Sequence, residues 1–186
     1  MSRARPYHHG DLRPALLRAA ADTIDDVGAA AMSVREVARR AGVSHTAATY
    51  HFGDKAGLLT ALAVEGYRLL GEALAAAQRE HQSFLEVGVA YVRFAVTHRA
   101  HFEVMFQPAL LRADDPSLQD AKRRTAVLLY GSAEADEQQT VAGVAAWSLV
   151  HGLATLWLNG NLPPRLGDDP AAITRVVAAR LRVPRR

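Results

Sequence analysis

The chain has 186 residues, 49% hydrophobic and 22% charged, with no cysteine. That composition is globular rather than disordered, and the missing thiols exclude a disulfide framework, a thiol nucleophile and every cysteine-ligated metal site. The net charge of +3, from 22 Lys+Arg against 19 Asp+Glu, is too small to demand a polyanionic partner, although 20 of the 22 cations are arginine, which suits phosphate recognition.

Met1 to Gly10 lacks the apolar core of a secretory signal, so a cytoplasmic location is expected. The rest reads as helix: apolar residues recur at three- and four-residue steps and no period-two alternation is sustained. A first helix is predicted from an Asp11 cap, with Leu12, Leu16, Ala20, Ile24 and Val27 on one face and Gly28 as its stop. A second starts at Ser33, with Glu36 at capping-box spacing, and breaks at Gly42. Ser44 caps a third short helix to about His51, and Asp54 caps a long fourth one to about His81. Helices are predicted over 83–99, 101–111, 117–133, 137–159 and 170–182, with Asp115-Pro116 and Asp169-Pro170 as start signals. The predicted fold is therefore all-α with about nine helices. It divides into a three-helix N-terminal helix-turn-helix domain, residues 1–55, and a C-terminal helical bundle, residues 56–186.

From Gln138 to Pro164 there is no charged residue. The run is interrupted by Gln, Thr, Ser, His and Asn, so it reads as the buried helix of a soluble bundle rather than a membrane span, and no membrane partner is expected.

The informative segment is Ser33 to Phe52, SVREVARRAGVSHTAATYHF. It has the parts of a helix-turn-helix: Ala38 is small where two helices cross, Gly42 tolerates a positive φ in the turn, and Val37, Ala41, Val43 and Ala48 sit at packing positions. Ser44 caps the second helix and leaves its first N–H groups free for a phosphate. The second helix carries His45, Thr46, Thr49 and Tyr50 outward, donors and acceptors for bases and backbone. The expected DNA-contacting set is Ser33, Arg35, Ser44, His45, Thr46, Ala47, Thr49 and Tyr50, with Arg3 and Arg5 from the N-terminal arm.

At this point the chain resembles a family. Gly10-Asp11-Leu12-Arg13, Ser33-Val34-Arg35-Glu36-Val37-Ala38, Gly42-Val43-Ser44, His51-Phe52-Gly53-Asp54-Lys55 and Leu58-Leu59 look like the N-terminal domain of TetR-family repressors. Trp147-Ser148-Leu149-Val150-His151-Gly152 resembles the Trp…His-Gly element of one TetR subgroup's C-terminal domain. The resemblance implies a homodimer on a palindromic operator, released by a small-molecule effector bound in the C-terminal domain. It also implies that Lys55 meets a phosphate. Two positions depart from the family. Thr49 stands where Tyr is usual, so that contact passes to Tyr50 or to the Thr49 hydroxyl, and Ala48 stands where Leu is usual. These departures motivate an alternative, a helical ligand- or protein-binding module that has lost operator recognition.

In the second half, Phe102, Met105, Phe106, Trp147 and His151 are the expected effector-binding set. The expected dimer interface is Val141, Val144, Ala145, Leu149 and Gly152 from one helix and Ile173, Val176, Val177 and Leu181 from another. His98 and His101 lie three apart but lack acidic partners at ligand spacing other than Glu103, so no metal and no cofactor are expected. No phosphate loop or nucleophile elbow occurs, so the reading includes no catalytic residue and no enzyme activity.

Overall fold

Side-chain caps set most of the helix starts in the computed structural model, which describes residues 12–131 and 136–180. Asp11, Arg3, Arg5 and Leu181 lie outside the described residues. Among the described residues there are nine α-helices: α1 Leu12–Val27, α2 Val34–Arg40, α3 His45–Phe52, α4 Lys55–His81, α5 Phe84–Thr97, α6 Arg99–Met105, α7 Pro116–Tyr130, α8 Glu137–Leu158 and α9 Pro170–Ala178. Ser33, Ser44, Asp54, Asp115 and Asp169 each accept a backbone N–H from the first turn that follows. The expected helix 101–111 is shorter than its apolar pattern: α6 ends at Met105, and Pro108 opens a separate 3₁₀ turn to Leu110, because proline cannot supply the next helical donor.

α4 is the axis of the molecule. It packs on α1 and α3 and on α5, α6 and α7. α5 is covered in turn by α8 and α9. Leu58, Leu59, Leu62, Leu70 and Leu74 along α4 are fully buried and join the core to Leu16 and Ile24 of α1 and Tyr91 of α5. α8 differs from the buried helix expected of its uncharged sequence. Gly143, Val150, Leu153 and Ala154 face inward, but only 22% of its most apolar stretch is buried, and the helix is long and apolar enough to cross a membrane by length and composition. Its lack of charge therefore has two sources, a core-facing side and an open apolar side.

Two polar ties join the N-terminal helices to the bundle. The Glu103 carboxylate of α6 accepts the buried Ala29 N–H after α1 at 2.8 Å. Arg112 pairs with Asp54, the N-cap of α4, at 3.0 Å, and its own N–H donates to Thr60 Oγ1 at 2.9 Å. Both partners of the first tie are far apart in sequence, so it fixes α6 against the α1–α2 loop. Glu103→Ala leaves the Ala29 N–H without an acceptor and is expected to lower unfolding free energy by about 1–3 kcal/mol. Chemical denaturation checks this, with Glu103→Gln, which keeps an acceptor, retaining most of the stability.

Candidate nucleic-acid interface

α2 and α3 are too short to be stable alone and depend on packing. Val37 and Ala38 of α2 and Ala48 and Phe52 of α3 supply it, all buried. The turn between them closes α2 in a Schellman pattern: Gly42, at φ +70°, donates to Arg39 C=O at 3.2 Å, and Val43 donates to Ala38 C=O at 3.0 Å. A side chain at Gly42 would strain that left-handed backbone. The spacing of Ser33 and Glu36 yields half a capping box. Ser33 Oγ accepts the Glu36 N–H at 3.2 Å, but the Glu36 carboxylate turns to Arg39 at 2.6–2.8 Å and Arg40 at 3.0 Å. Hydrogen bonds from these two arginines hold the Glu36 carboxyl down at about 2. Arg40 also reaches Asp26 of α1 at 2.7 Å. Arg39 and Arg40 are thus committed within the chain, whereas Arg35 is exposed with no ion pair among the described residues.

Ser44 Oγ accepts the Ala47 N–H at 3.1 Å, so the N–H groups of His45 and Thr46 point out of the helix start without intrahelical partners. His45 and Thr46 are exposed, Ala47 and Thr49 half-buried. The Thr49 hydroxyl donates to His45 C=O at 3.0 Å, which uses its proton inside the helix. Tyr50, by contrast, is 87% exposed. Of the two hydroxyls left open by the sequence, the phenol is the one free to reach outward. His51 packs between the Tyr50 and Phe52 rings at 5.6 and 6.2 Å, and Arg13 lies over the Phe52 face at 5.5 Å. Lys55 Nζ donates to Ala30 C=O at 2.6 Å, bracing the α1–α2 loop with one of its three hydrogens.

The junction of α3 and α4 contains a residue that the sequence motifs do not single out. A methyl group at Gly57 would lie 1.9 Å from the Phe52 carbonyl oxygen. Only glycine lets the first turn of α4 seat against the end of α3. Its signal in the sequence is a glycine in the first turn of a strong helix, where propensity disfavours it.

In the bundle, three of the expected effector residues gather around a fourth, the His151 imidazole, and the fifth, Met105, packs against Gly66 of α4. Phe106, Phe102 and Trp147 have ring centroids 4.5, 5.3 and 5.9 Å from that of His151, and Met105 is buried next to Phe106. Tyr91, outside the expected set, ties the group together. Trp147 Nε1–H donates to the Tyr91 hydroxyl at 3.1 Å, and that hydroxyl lies 2.9 Å from His151 Nδ1. Tyr91 is fully buried and its proton has no other acceptor among the described residues, which assigns the imidazole proton to Nε2. Burial holds the His151 imidazole below its ordinary value and pushes the Tyr91 phenol up. The expected dimer residues separate. Val141, Val144 and Ala145 are exposed and Leu149 and Gly152 half-buried on α8, but on α9 only Val176 faces out, at 61% exposure, whereas Ile173 is 4% exposed and packs inward and Val177 is half-buried against the core. His101, weighed as a metal ligand, is instead 3.0 Å from Glu65 of α4.

The fold and this surface define a helix-turn-helix DNA-binding protein carrying a helical C-terminal bundle. Residues 16–62 match the family described as bacterial regulatory proteins, tetR family, and residues 84–181 match the tetracyclin repressor-like C-terminal domain. The chain belongs to the TetR family of transcriptional regulators. It is 30% identical over 161 residues to the HTH-type transcriptional regulator BetI of Cronobacter sakazakii, covering 81% of this chain and 79% of that one. The BetI of Stenotrophomonas maltophilia matches over 63 residues at 43% identity, so the chain spans 32% of that relative's length. A solved protein of unknown function from Rhodococcus sp. RHA1 superposes with a TM-score of 0.76 at 30% identity, covering 95% and 96% of the two chains. PfmR of Thermus thermophilus, a TetR-family transcriptional regulator, shares the fold with a TM-score of 0.68 at 20% identity, over 88% of this chain and 94% of that one.

Two outcomes follow. Gly57→Ala is expected to displace α3 and abolish operator-type DNA binding while the bundle keeps its helical content by circular dichroism. Retained DNA binding would contradict the close approach. Burial also depresses His98 and His151 below 6.5. The unfolded chain therefore takes up protons that the folded chain refuses, and stability present at neutral pH is lost as pH falls through that range. Denaturant midpoints should drop between about pH 7.5 and about pH 5.5, and His151→Gln should reduce the drop.

Proposed function

We propose that this protein is a ligand-responsive transcriptional repressor acting as a homodimer in the cytoplasm, each protomer reading one half of a palindromic operator. The observation that carries the reading is the presentation of α3. Its buried side is locked by Ala48 and Phe52, and its open side offers His45, Thr46, Tyr50 and a free helix N-terminus. Arg35 and Ser33 flank it from α2, Lys55 keeps hydrogens for a phosphate beside its bond to Ala30, and Ala47 and Thr49 contribute through close packing on the duplex. Residues 1–55 are assigned the DNA-reading work and 56–186 effector binding and dimerisation, with α4 running on from the boundary.

The open face of α8 supports the dimer. Val141, Val144 and Leu156 are 61%, 40% and 44% exposed, and Ala145 shares that side. Val176 of α9 is likewise exposed, and two protomers would bury these apolar residues in a four-helix interface. The interface is therefore centred on Val141, Val144, Ala145, Leu149 and Gly152 with Val176, and the inward Ile173 and Val177 support it from beneath. Effector binding among Phe102, Met105, Phe106, Trp147 and His151 would act on α6, which holds the α1–α2 loop through Glu103 and Ala29. Linkage then requires DNA and effector to weaken each other by the same factor.

Selection of duplexes from genomic fragments at about 150 mM salt tests the reading, because weak non-specific binding is suppressed there. Enrichment of one palindromic motif, bound about 10³-fold or more tighter than scrambled DNA, is expected. Absence of any enriched motif would overturn it. A Val141→Asp/Val176→Asp chain should sediment as a folded monomer and lose most operator affinity. Persisting dimers at micromolar concentration would contradict the interface.

A further inference from the structure

A cavity of about 320 Å³ lies between α4, α6, α7 and α8, within the range of small-molecule sites. Its wall is apolar and aromatic, with Tyr67, Met105, Phe106, Tyr130 and Trp147 among its residues. The Tyr67 hydroxyl is already spent on Met105 C=O at 3.1 Å, and the Thr125 hydroxyl on Ala121 and Tyr67 carbonyls. One charged side chain lines the cavity, Lys122 of α7. It is half-buried and has no ion pair or hydrogen bond among the described residues. The acid two residues before it, Asp120, is engaged by Arg123 at 3.3 Å and Arg124 at 2.8 Å.

Three neighbouring cavities lack this combination. The α6–α8 cleft of about 420 Å³ has both Arg99 and Glu103 in its wall. The α4–α7 groove of about 580 Å³ carries Arg68, Arg79 and Arg124 with Glu72 and Asp120, and two of those arginines pair with the acids at 2.6 and 2.8 Å. The α5–α8 pocket of about 200 Å³ has no charged residue. Among these four cavities, one joins an aromatic wall to a cation with no carboxylate in that wall.

We propose that the Lys122 cavity binds a small organic carboxylate with an aromatic or compact apolar body. This deepens the effector reading above and rests on it. The carboxylate sits on Lys122 Nζ, and the body packs against Tyr67, Phe106 and Trp147. A carboxylate entering an apolar cavity loses hydration and needs a counter-ion, which Lys122 supplies without breaking any bond of its own. A cationic ligand would face the same ammonium with no carboxylate in the wall to offset it. A neutral amide of the same shape would keep the packing and lose the ionic hydrogen bond.

The test titrates the full-length dimer with phenylacetate, indole-3-acetate and octanoate, each beside its primary amide, reading thermal unfolding and quenching of Trp147. A Trp147→Phe chain separates that signal from Trp157. At least one acid is expected to bind about tenfold or more tighter than its amide. Lys122→Met should make acid and amide equal and Lys122→Arg should preserve the preference, while unliganded stability and DNA binding stay unchanged. Equal binding of acid and amide, an acid affinity indifferent to Lys122→Met, or no binding by any acid at about 10 mM would overturn the proposal. An acid that binds through Lys122 without weakening DNA binding would uphold the cavity and overturn its effector role. A cationic or neutral compound that releases DNA equally well from Lys122→Met would uphold the repressor and overturn the cavity.

Discussion

Everything this protein does with DNA depends on how an eight-residue helix is held. α3 cannot persist by its own hydrogen bonds, since helix nucleation is unfavourable and so short a segment adds few propagating bonds. Its shape comes from neighbours. Ala48 and Phe52 are buried, the Ser44 cap fixes its start, and its last carbonyl lies against Gly57, so near that no larger residue fits. Asp54 caps α4 from the same corner and is held by Arg112 from beyond α6. The recognition surface is thus an extension of α4, and any movement of α4 carries α3 with it.

The same dependence runs on into the bundle. α6 touches α1 and α4 on one side, where Met105 packs against Gly66, and sets Phe102 and the following Phe106 among the aromatic rings on the other. Glu103 holds Ala29 from the middle of that helix. A molecule inserted beside Phe106 presses on a helix of seven residues that is tied to the DNA-reading half by one charge-assisted hydrogen bond. The coupling proposed between the effector site and α3 would need no longer path than this. The uncharged sequence of α8 belongs to the same economy: one side completes the aromatic cluster through Trp147 and His151, and the other leaves Val141, Val144 and Leu156 exposed.

Much of this is legible in the sequence because it is local. Ser33, Ser44, Asp115-Pro116 and Asp169-Pro170 mark helix starts by chemistry within four residues, and Gly42 marks the turn by its own backbone. Family motifs carry the assignment of the N-terminal half, and the TetR fold and regulator class follow. What is not legible is long-range. Nothing near Glu103 or Arg112 in the sequence names Ala29 or Asp54 as a partner. Tyr91 reads like any core aromatic until Trp147 and His151 are seen to meet at its hydroxyl. The two sides of α9 cannot be told apart because Ile173, Val176 and Val177 are all apolar. Periodicity finds a face only when the opposite face is polar, so Ile173 is expected outward when it packs inward. Pro108, which ends α6 early, is visible in the sequence but is outweighed by the apolar run around it.

The central claim is that two copies of α3 are held at a fixed separation by the packing of α4 and by a symmetric interface. Hydroxyl-radical footprinting of the selected duplex reads that separation directly. The account predicts two symmetric protected half-sites on one face of the DNA, their centres about one helical turn or a whole multiple of it apart. A single protected half-site, or two on opposite faces of the duplex, would contradict it.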